Sequence, residues 1–299
     1  MAWRPWTEID GGGVEGMKKR GLIAAGLLAL PVLLLAPGFG GRKKDPFRGR
    51  FFAHRGLHTP DKRIPENSLA AFGRAAEAGY GMELDVQLSR DGQVVVFHDD
   101  DLRRVCGREE RVDALTWPEL HALSLCGTEE RIPLFSQVLN LVNGRAPLIV
   151  ELKSGKRNRE LCRKTLALLR SYSGEACVES FDPRIVTWFR FHAPELLRGQ
   201  LAQTPARYRA GGNPPIMSFL LGNTLFNFAA RPQFIAYRLG QKPLPVRLAE
   251  AMGALRVGWT SHDQADQAGL DAVIFEFYRP EVRFVPDKPW SPLRKRNSK

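Results

Sequence analysis

Residues 81–99 read GMELDVQLSRDGQVVVFHD, and the acids in this stretch decide how the rest of the chain is read. Successive side chains of an extended strand point to opposite faces. Met82, Leu84, Val86 and Leu88 then line one face, and Glu83, Asp85 and Gln87 the other. Two carboxylates therefore leave an otherwise burial-prone segment on the same side. The tetrapeptide SRDG at 89–92 is too short to cross over to a parallel strand but suits a hairpin turn, so QVVVF returns antiparallel and delivers His98 at its end.

Similar short apolar runs recur outward from this segment: RFFAH (50–54), PLIVEL (147–152), EACVES (175–180), LRGQLA (197–202), QFIAY (233–237), ALRVGW (254–259) and DAVIFEF (271–277). Helical patterns lie between them. The first has Pro65 and Asn67-Ser68 as a start, Leu69, Phe72 and Ala76 as an apolar stripe and Gly79 as a left-handed stop. LCRKTLALLRSYSG (161–174) and FDPRIVTWFRFHAP (181–194) have the same spacing, whereas SFLLGNTLFNF (218–228) reads as a helix or as a loop over one end of the fold. Strands alternating with helices argue for a parallel sheet with right-handed crossovers. With the returning hairpin strand set aside, eight strands remain, so the expected fold is α/β, a (β/α)8 TIM-type barrel.

At 299 residues, 43% hydrophobic and 25% charged, the chain can bury a large core and is not a disordered tail. A net charge of +12 points to an anionic partner. Nucleic acid is excluded, because the basic residues gather at the termini without interleaved aromatics. Residues 17–44, MKKRGLIAAGLLALPVLLLAPGFGGRKK, place an apolar run between basic flanks. The expectation is a membrane partner and a membrane location through an N-terminal hydrophobic anchor helix, with a cleaved signal peptide as the alternative. Lys and Arg number three before the run and five just after it, which orients the catalytic domain to the cytoplasm. The expected organisation is a flexible leader at 1–16, a transmembrane or anchor segment at 17–45, a barrel at 46–290 and a basic tail at 291–299. Cys106, Cys126, Cys162 and Cys177 have no metal-binding spacing and read as structural thiols; in an oxidising compartment Cys106 and Cys126 would be the pair to form a disulfide.

Polar groups recur at the ends of distant strands. His54 and Arg55 end the first, and Glu151 shares a face with Lys153 on PLIVELKSG. A barrel brings such ends together on one face. Buried carboxylates lose several kcal/mol of solvation, roughly, unless they are paired or bound to metal. Glu83, Asp85 and Glu151 offer only oxygen ligands, which suits Mg²⁺ or Ca²⁺ better than Zn²⁺. Arg55 and Lys153 can hold a phosphate. His54 and His98 titrate near neutrality and can serve as one acid and one base. The set specifies cleavage of a phosphodiester at a metal-assisted site.

The strings HRG (54–56), PENS (65–68), ELD (83–85), SRDGQVVVFHD (89–99), ELK (151–153), SFD (180–182) and WT (259–260), in this order, resemble the signature of the glycerophosphodiester phosphodiesterase family. The resemblance covers about Phe51 to Phe277. It implies a TIM-type barrel that hydrolyses glycerophosphodiesters, or lysophospholipid headgroups, to a glycerol 3-phosphate-type product and an alcohol with Ca²⁺ or Mg²⁺. Carried over by position, it makes His54 and His98 the acid/base pair and Glu83, Asp85 and Glu151 metal ligands. Arg55 and Lys153 become phosphate ligands, and Glu66 and Trp259 shape the substrate pocket. Two positions depart from the pattern: Glu276 stands where the last strand commonly ends in Thr-Asp, and Ser261-His262 replace Val-Asn after WT. Related phospholipase barrels that form a cyclic phosphate, and a membrane-tethered phosphodiester-binding protein without catalysis, are the alternatives. Glu66 reads almost equally as a residue that favours the following helix N-terminus. His58, His121, His192 and His262 read as structural or solvated, and Asp182 as the residue that precedes a helix.

Overall fold

The computed structural model describes residues 33–286. Eight parallel strands close on themselves: β1 (Arg50–Ala53), β2 (Gly81–Leu88), β4 (Leu148–Leu152), β5 (Ala176–Ser180), β6 (Leu197–Ala202), β7 (Phe234–Arg238), β8 (Leu255–Ser261) and β9 (Ala272–Phe275), with β3 (Val94–Val96) as the antiparallel return of the hairpin on β2. β1 closes the barrel by pairing with β9 on one side and with β2 on the other, where Phe52 lies opposite Gly81. The architecture is the expected TIM-type barrel.

The first connecting helix, Leu69–Glu77, begins where Ser68 accepts a hydrogen bond from the Ala71 N–H at 3.1 Å, and the chain reverses after it through Gly79 at φ +79°. Helices Asn158–Arg170 and Pro183–His192 follow β4 and β5; in the second, Asp182 is the N-cap, accepting from the Arg184 N–H, as its place before Pro183 implies. The open segment at 218–228 resolves into helices Pro215–Gly222 and Asn227–Ala230. The four cysteines are free thiols.

Two apolar layers follow from strand alternation. The outward residues of β2, Met82, Leu84 and Val86, pack with Phe72, Ala75, Phe135 and Val138 from the helices. The inward layer at the strand N-terminal ends holds Phe47, Phe52, Ile149, Cys177, Leu197, Phe234 and Leu255. Gly199 makes room there, since a Cβ at that position would lie 2.0 Å from the Phe234 ring. The excursion between β3 and β4 builds its own cluster around Phe97, Leu102, Leu120 and Ile132. It thereby fixes residues 97–132 against the barrel's C-terminal face.

The expected membrane location through residues 17–45 is corrected. Residues 17–32 lie outside the described residues, and among the described residues no helix is long and apolar enough to cross a membrane. The described end of that segment is committed to the barrel. Leu35 is buried against Ile235, Tyr237 and Val246; the Ala36 carbonyl accepts from Arg231; and Lys44, read as a basic flank, donates to the Gly253 carbonyl at 2.6 Å. Phe47, at the end of the 3-10 helix Gly41–Phe47, stacks on Phe52 with ring centroids 6.0 Å apart and plugs the barrel floor. The tail at 291–299 likewise lies outside the described residues. Deleting a buried aromatic costs about 3–5 kcal/mol. Phe47→Ala is therefore expected to lower unfolding stability by that amount in urea titrations, and unchanged stability would show that the floor does not need this residue.

Candidate active site

The C-terminal ends of β1, β2 and β4 carry the predicted groups into one cup. β1 runs into His54, whose N–H continues the ladder to the Phe275 carbonyl at 2.9 Å. Arg55 then takes a left-handed conformation, φ +53°, which turns its backbone N–H onto a Glu83 carboxylate oxygen at 3.0 Å. Such a conformation in a non-glycine residue costs roughly 1–3 kcal/mol and persists where the surroundings enforce it. Gly56 follows at φ +78°, where a Cβ would lie 2.9 Å from Ala71, so the HRG turn can press against the first helix.

Glu83, Asp85 and Glu151 are all buried, and their ligand oxygens lie within 4.8 Å of one another. Asp85 accepts from the Asn67 amide at 2.9 Å and lies 3.3 Å from Lys153 Nζ; Glu151 accepts from the same ammonium at 2.8 Å. Burial and the charges of Asp85 and Glu151 push the Glu83 carboxyl well above the usual range. Burial also raises Glu151, with Lys153 opposing. Asp85 is the exception: burial is outweighed by Lys153, His98 and Arg55, which hold its carboxyl well below the ordinary range. One ionised and two reluctant carboxylates, all hard oxygen donors, fit a divalent cation that would neutralise their mutual repulsion.

His54 Nδ1 lies 3.2 Å from Glu276 Oε1, and its Nε2 faces Glu83 at 3.8 Å. Burial lowers the His54 pKa despite the Glu276 contact. The contacts with His54 and His58 hold the Glu276 carboxyl well below its ordinary range against the effect of burial, which places an acceptor in front of His54 Nδ1. On the other side of the cup His98 Nδ1 meets Asp99 Oδ1 at 2.6 Å. Glu66 takes Arg55 Nη1 at 2.7 Å and Arg104 Nη1 and Nη2 at 2.6 Å each. Burial opposes its ionisation, but the two guanidinium groups hold it at about 2. Arg55 Nε is buried without a hydrogen bond, 3.5 Å from Asp85. A cavity of about 300 Å³ opens beside these groups, lined by His54, Arg55, His58, Glu66, Arg104 and Glu276 among others, whereas Glu83, Asp85, Glu151, Lys153 and His98 do not line it. Trp259 is absent from that lining. It packs edge-on to Phe181 at 5.6 Å, with the Arg238 guanidinium over its face at 5.3 Å.

Several site groups were invisible or misread in the sequence. His58, expected to be structural or solvated, lines the cavity and meets the same Glu276 oxygen at 3.0 Å. Its position four residues after His54 gave no signal, because the intervening turn is irregular. Glu276 was visible as a departure, yet its contact with two histidines was not. Asn67, at φ +55°, has its backbone N–H on the Arg55 carbonyl and its amide on Asp85. Glu179, which lies opposite Glu151 on β5, is buried with no hydrogen bond to either carboxylate oxygen; burial, with Glu151 and Asp85, raises its carboxyl well above the usual range. The inward parity of EACVES was the available clue.

The family model of the glycerophosphoryl diester phosphodiesterase family matches residues 54–278. A glycerophosphodiester phosphodiesterase of Caldanaerobacter subterraneus is 35% identical over 163 residues, covering 50% of this chain and 65% of that protein. A lysophospholipase D of Homo sapiens is 32% identical over 162 residues, covering 50% of this chain and 48% of its own length. The matches thus span about half to two-thirds of these relatives. An Oleispira antarctica phosphodiesterase, solved in complex with the product sn-glycerol-3-phosphate, superimposes with a TM-score of 0.63 at 23% identity, covering 77% of this chain and 94% of that one, and shares the fold. With a barrel of the same kind, the acidic cup at its strand ends and a family match from His54 to Tyr278, the chain belongs to the glycerophosphoryl diester phosphodiesterase family.

Proposed function

We propose that the chain hydrolyses glycerophosphodiesters to glycerol 3-phosphate and an alcohol, by two-histidine acid/base catalysis beside a divalent cation. The observation that carries this reading is the juxtaposition of His54, held through Nδ1 by Glu276, with the buried Glu83, Asp85 and Glu151. The Oleispira antarctica enzyme, solved with sn-glycerol-3-phosphate, supports the choice of glycerophosphodiester. Mg²⁺ or Ca²⁺ held by those three carboxylates would neutralise charge on the phosphate oxygens. Arg55 and Lys153 bind and orient the phosphate from the two sides of the acids. His54 Nε2 takes the proton of the attacking water as its oxygen bonds to phosphorus, and His98 protonates the alkoxide as the P–O bond to the alcohol breaks. Attack by a glycerol hydroxyl instead of water would give a cyclic phosphate, which phosphorus NMR of early products distinguishes.

A lysophospholipid is the second substrate reading, and one surface favours it. Helix Pro205–Ala210 sets Tyr208 against Phe181, which in turn meets Trp259, at ring distances of 6.2 and 5.6 Å. The next helix, Pro215–Gly222, packs on Pro205 and leaves Ile216 and Phe219 exposed. An acyl chain leaving the cup on this side would meet apolar side chains. The human relative named lysophospholipase D is consistent with that substrate class.

His54→Ala and His98→Ala are each expected to lower kcat on glycerophosphocholine by about 10²–10⁴-fold. A chelator is expected to abolish turnover and added Mg²⁺ or Ca²⁺ to restore it; metal-independent turnover contradicts the reading. Because burial raises the pKa values of Glu83 and Glu151, a cation competes with protons for these carboxylates. Affinity measured by calorimetry should rise with pH, with proton release on binding greater at lower pH. Phe219→Ser should weaken turnover of lysophosphatidylcholine and leave glycerophosphocholine unaffected. Equal effects on both substrates would remove the lysophospholipid reading.

A further inference from the structure

Arg104 lies in the short helix Arg103–Cys106, within the excursion between β3 and β4 and outside every strand end that carries the site. Its guanidinium makes three charge-assisted contacts. Nη1 and Nη2 form a two-pronged pair with the oxygens of Glu66, both at 2.6 Å, and Nε donates to Asp99 Oδ2 at 2.7 Å. Each acid continues into the cup. The Glu66 oxygen that faces Nη2 also accepts from Arg55 at 2.7 Å, and the second oxygen of Asp99 meets His98 Nδ1 at 2.6 Å. The result is one unbroken chain, Arg55–Glu66–Arg104–Asp99–His98, from the turn after β1 to the turn after β3.

We propose that Arg104 is a positioning residue that fixes the separation between the phosphate-binding Arg55 and the acid/base His98. A planar fork is suited to this, because it holds two acids in one plane at set angles, whereas an ammonium is a point charge without preferred direction. Arg104 borders the cavity, and its contacts with Glu66 and Asp99 take three of the five guanidinium N–H groups, one on each nitrogen, which fixes the plane of the fork between the two acids. Without Arg104 the turns carrying Arg55 and His98 lose their shared strut, and misplacement of either group by an ångström or so is enough to slow a reaction that depends on alignment. The inference rests on the phosphodiesterase reading above.

The test compares Arg104→Lys and Arg104→Ala in the full chain on glycerophosphocholine with the cation present. Both are expected to lower kcat/KM by about 10–100-fold, with kcat falling through His98 and KM rising through Arg55. The lysine variant separates positioning from charge: if Arg104 only attracted the anionic substrate, Lys would restore activity to within about two-fold. A second measurement separates positioning from a general loss of fold. In the Asp99→Ala/Glu66→Ala background, where both of Arg104's acceptors are gone, adding Arg104→Ala should change kcat/KM by less than about two-fold, because residues that act as a unit are not additive. Wild-type activity in Arg104→Lys, or a full further loss in the double-variant background, overturns the proposal. If His54→Ala retains activity, the phosphodiesterase mechanism itself fails, a result that these Arg104 measurements do not mimic.

Discussion

The constraint on which the structure depends is the burial of three carboxylates at one end of a closed barrel. Glu83, Asp85 and Glu151 cannot remain charged together in that position without help, since a buried ion loses far more solvation than a surface one. The protein supplies Lys153 between two of them, the Arg55 backbone N–H on the third and the Asn67 amide on Asp85. Glu83 and Glu151 nevertheless keep raised pKa values. That residual repulsion is what makes the cup a place for a cation, because a divalent charge removes in one step what the protein only partly compensates.

The irregular backbone around the cup follows from the same requirement. Arg55 and Asn67 adopt left-handed conformations, which Asn reaches more readily than most residues and Arg does not. In return, each points a backbone or amide donor at an acid or at the other residue's carbonyl. The apolar floor below has the opposite character. Phe47, Phe52, Leu197, Phe234 and Leu255 fill the barrel where strands begin, so water is excluded beneath the acids and electrostatic interactions above are less screened. Leu35, in the segment that composition alone connects with a lipid bilayer, is buried in the adjoining outer layer, and Phe47 just after that segment belongs to the dry floor. Leucine and phenylalanine satisfy their burial against protein as well as against lipid.

Glu276, which departs from the family pattern, still places a carboxylate beside two histidines. It directly follows β9, which pairs with β1, and its carboxylate reaches both His54 and His58. A carboxylate on the distal nitrogen sets the histidine tautomer and stabilises the imidazolium that forms during proton transfer. The difference in sequence therefore bears on how His54 is held and on the shape of the cavity wall that His58 and Phe277 share.

Strand alternation in residues 81–99, its repetition in PLIVELKSG and the parity of Phe52 and His54 are local properties, and they suffice to announce a barrel and to offer His54, Arg55, Glu83, Asp85, His98, Glu151 and Lys153 as candidate site residues, of which Glu83, Asp85 and Glu151 meet at its strand ends. Period-two geometry is written in neighbouring residues and survives any choice of tertiary packing. What the local pattern could not contain were contacts across long loop closures: His58 on Glu276, 218 positions away, and Glu66 on Arg104, 38 positions away. The same limit applies to residues 33–45, the described end of the apolar segment, because hydropathy records that a segment avoids water but not what it packs against. Leu35 and Phe47 found that partner only when β1, β7 and the helix Leu244–Ala251 had been brought together.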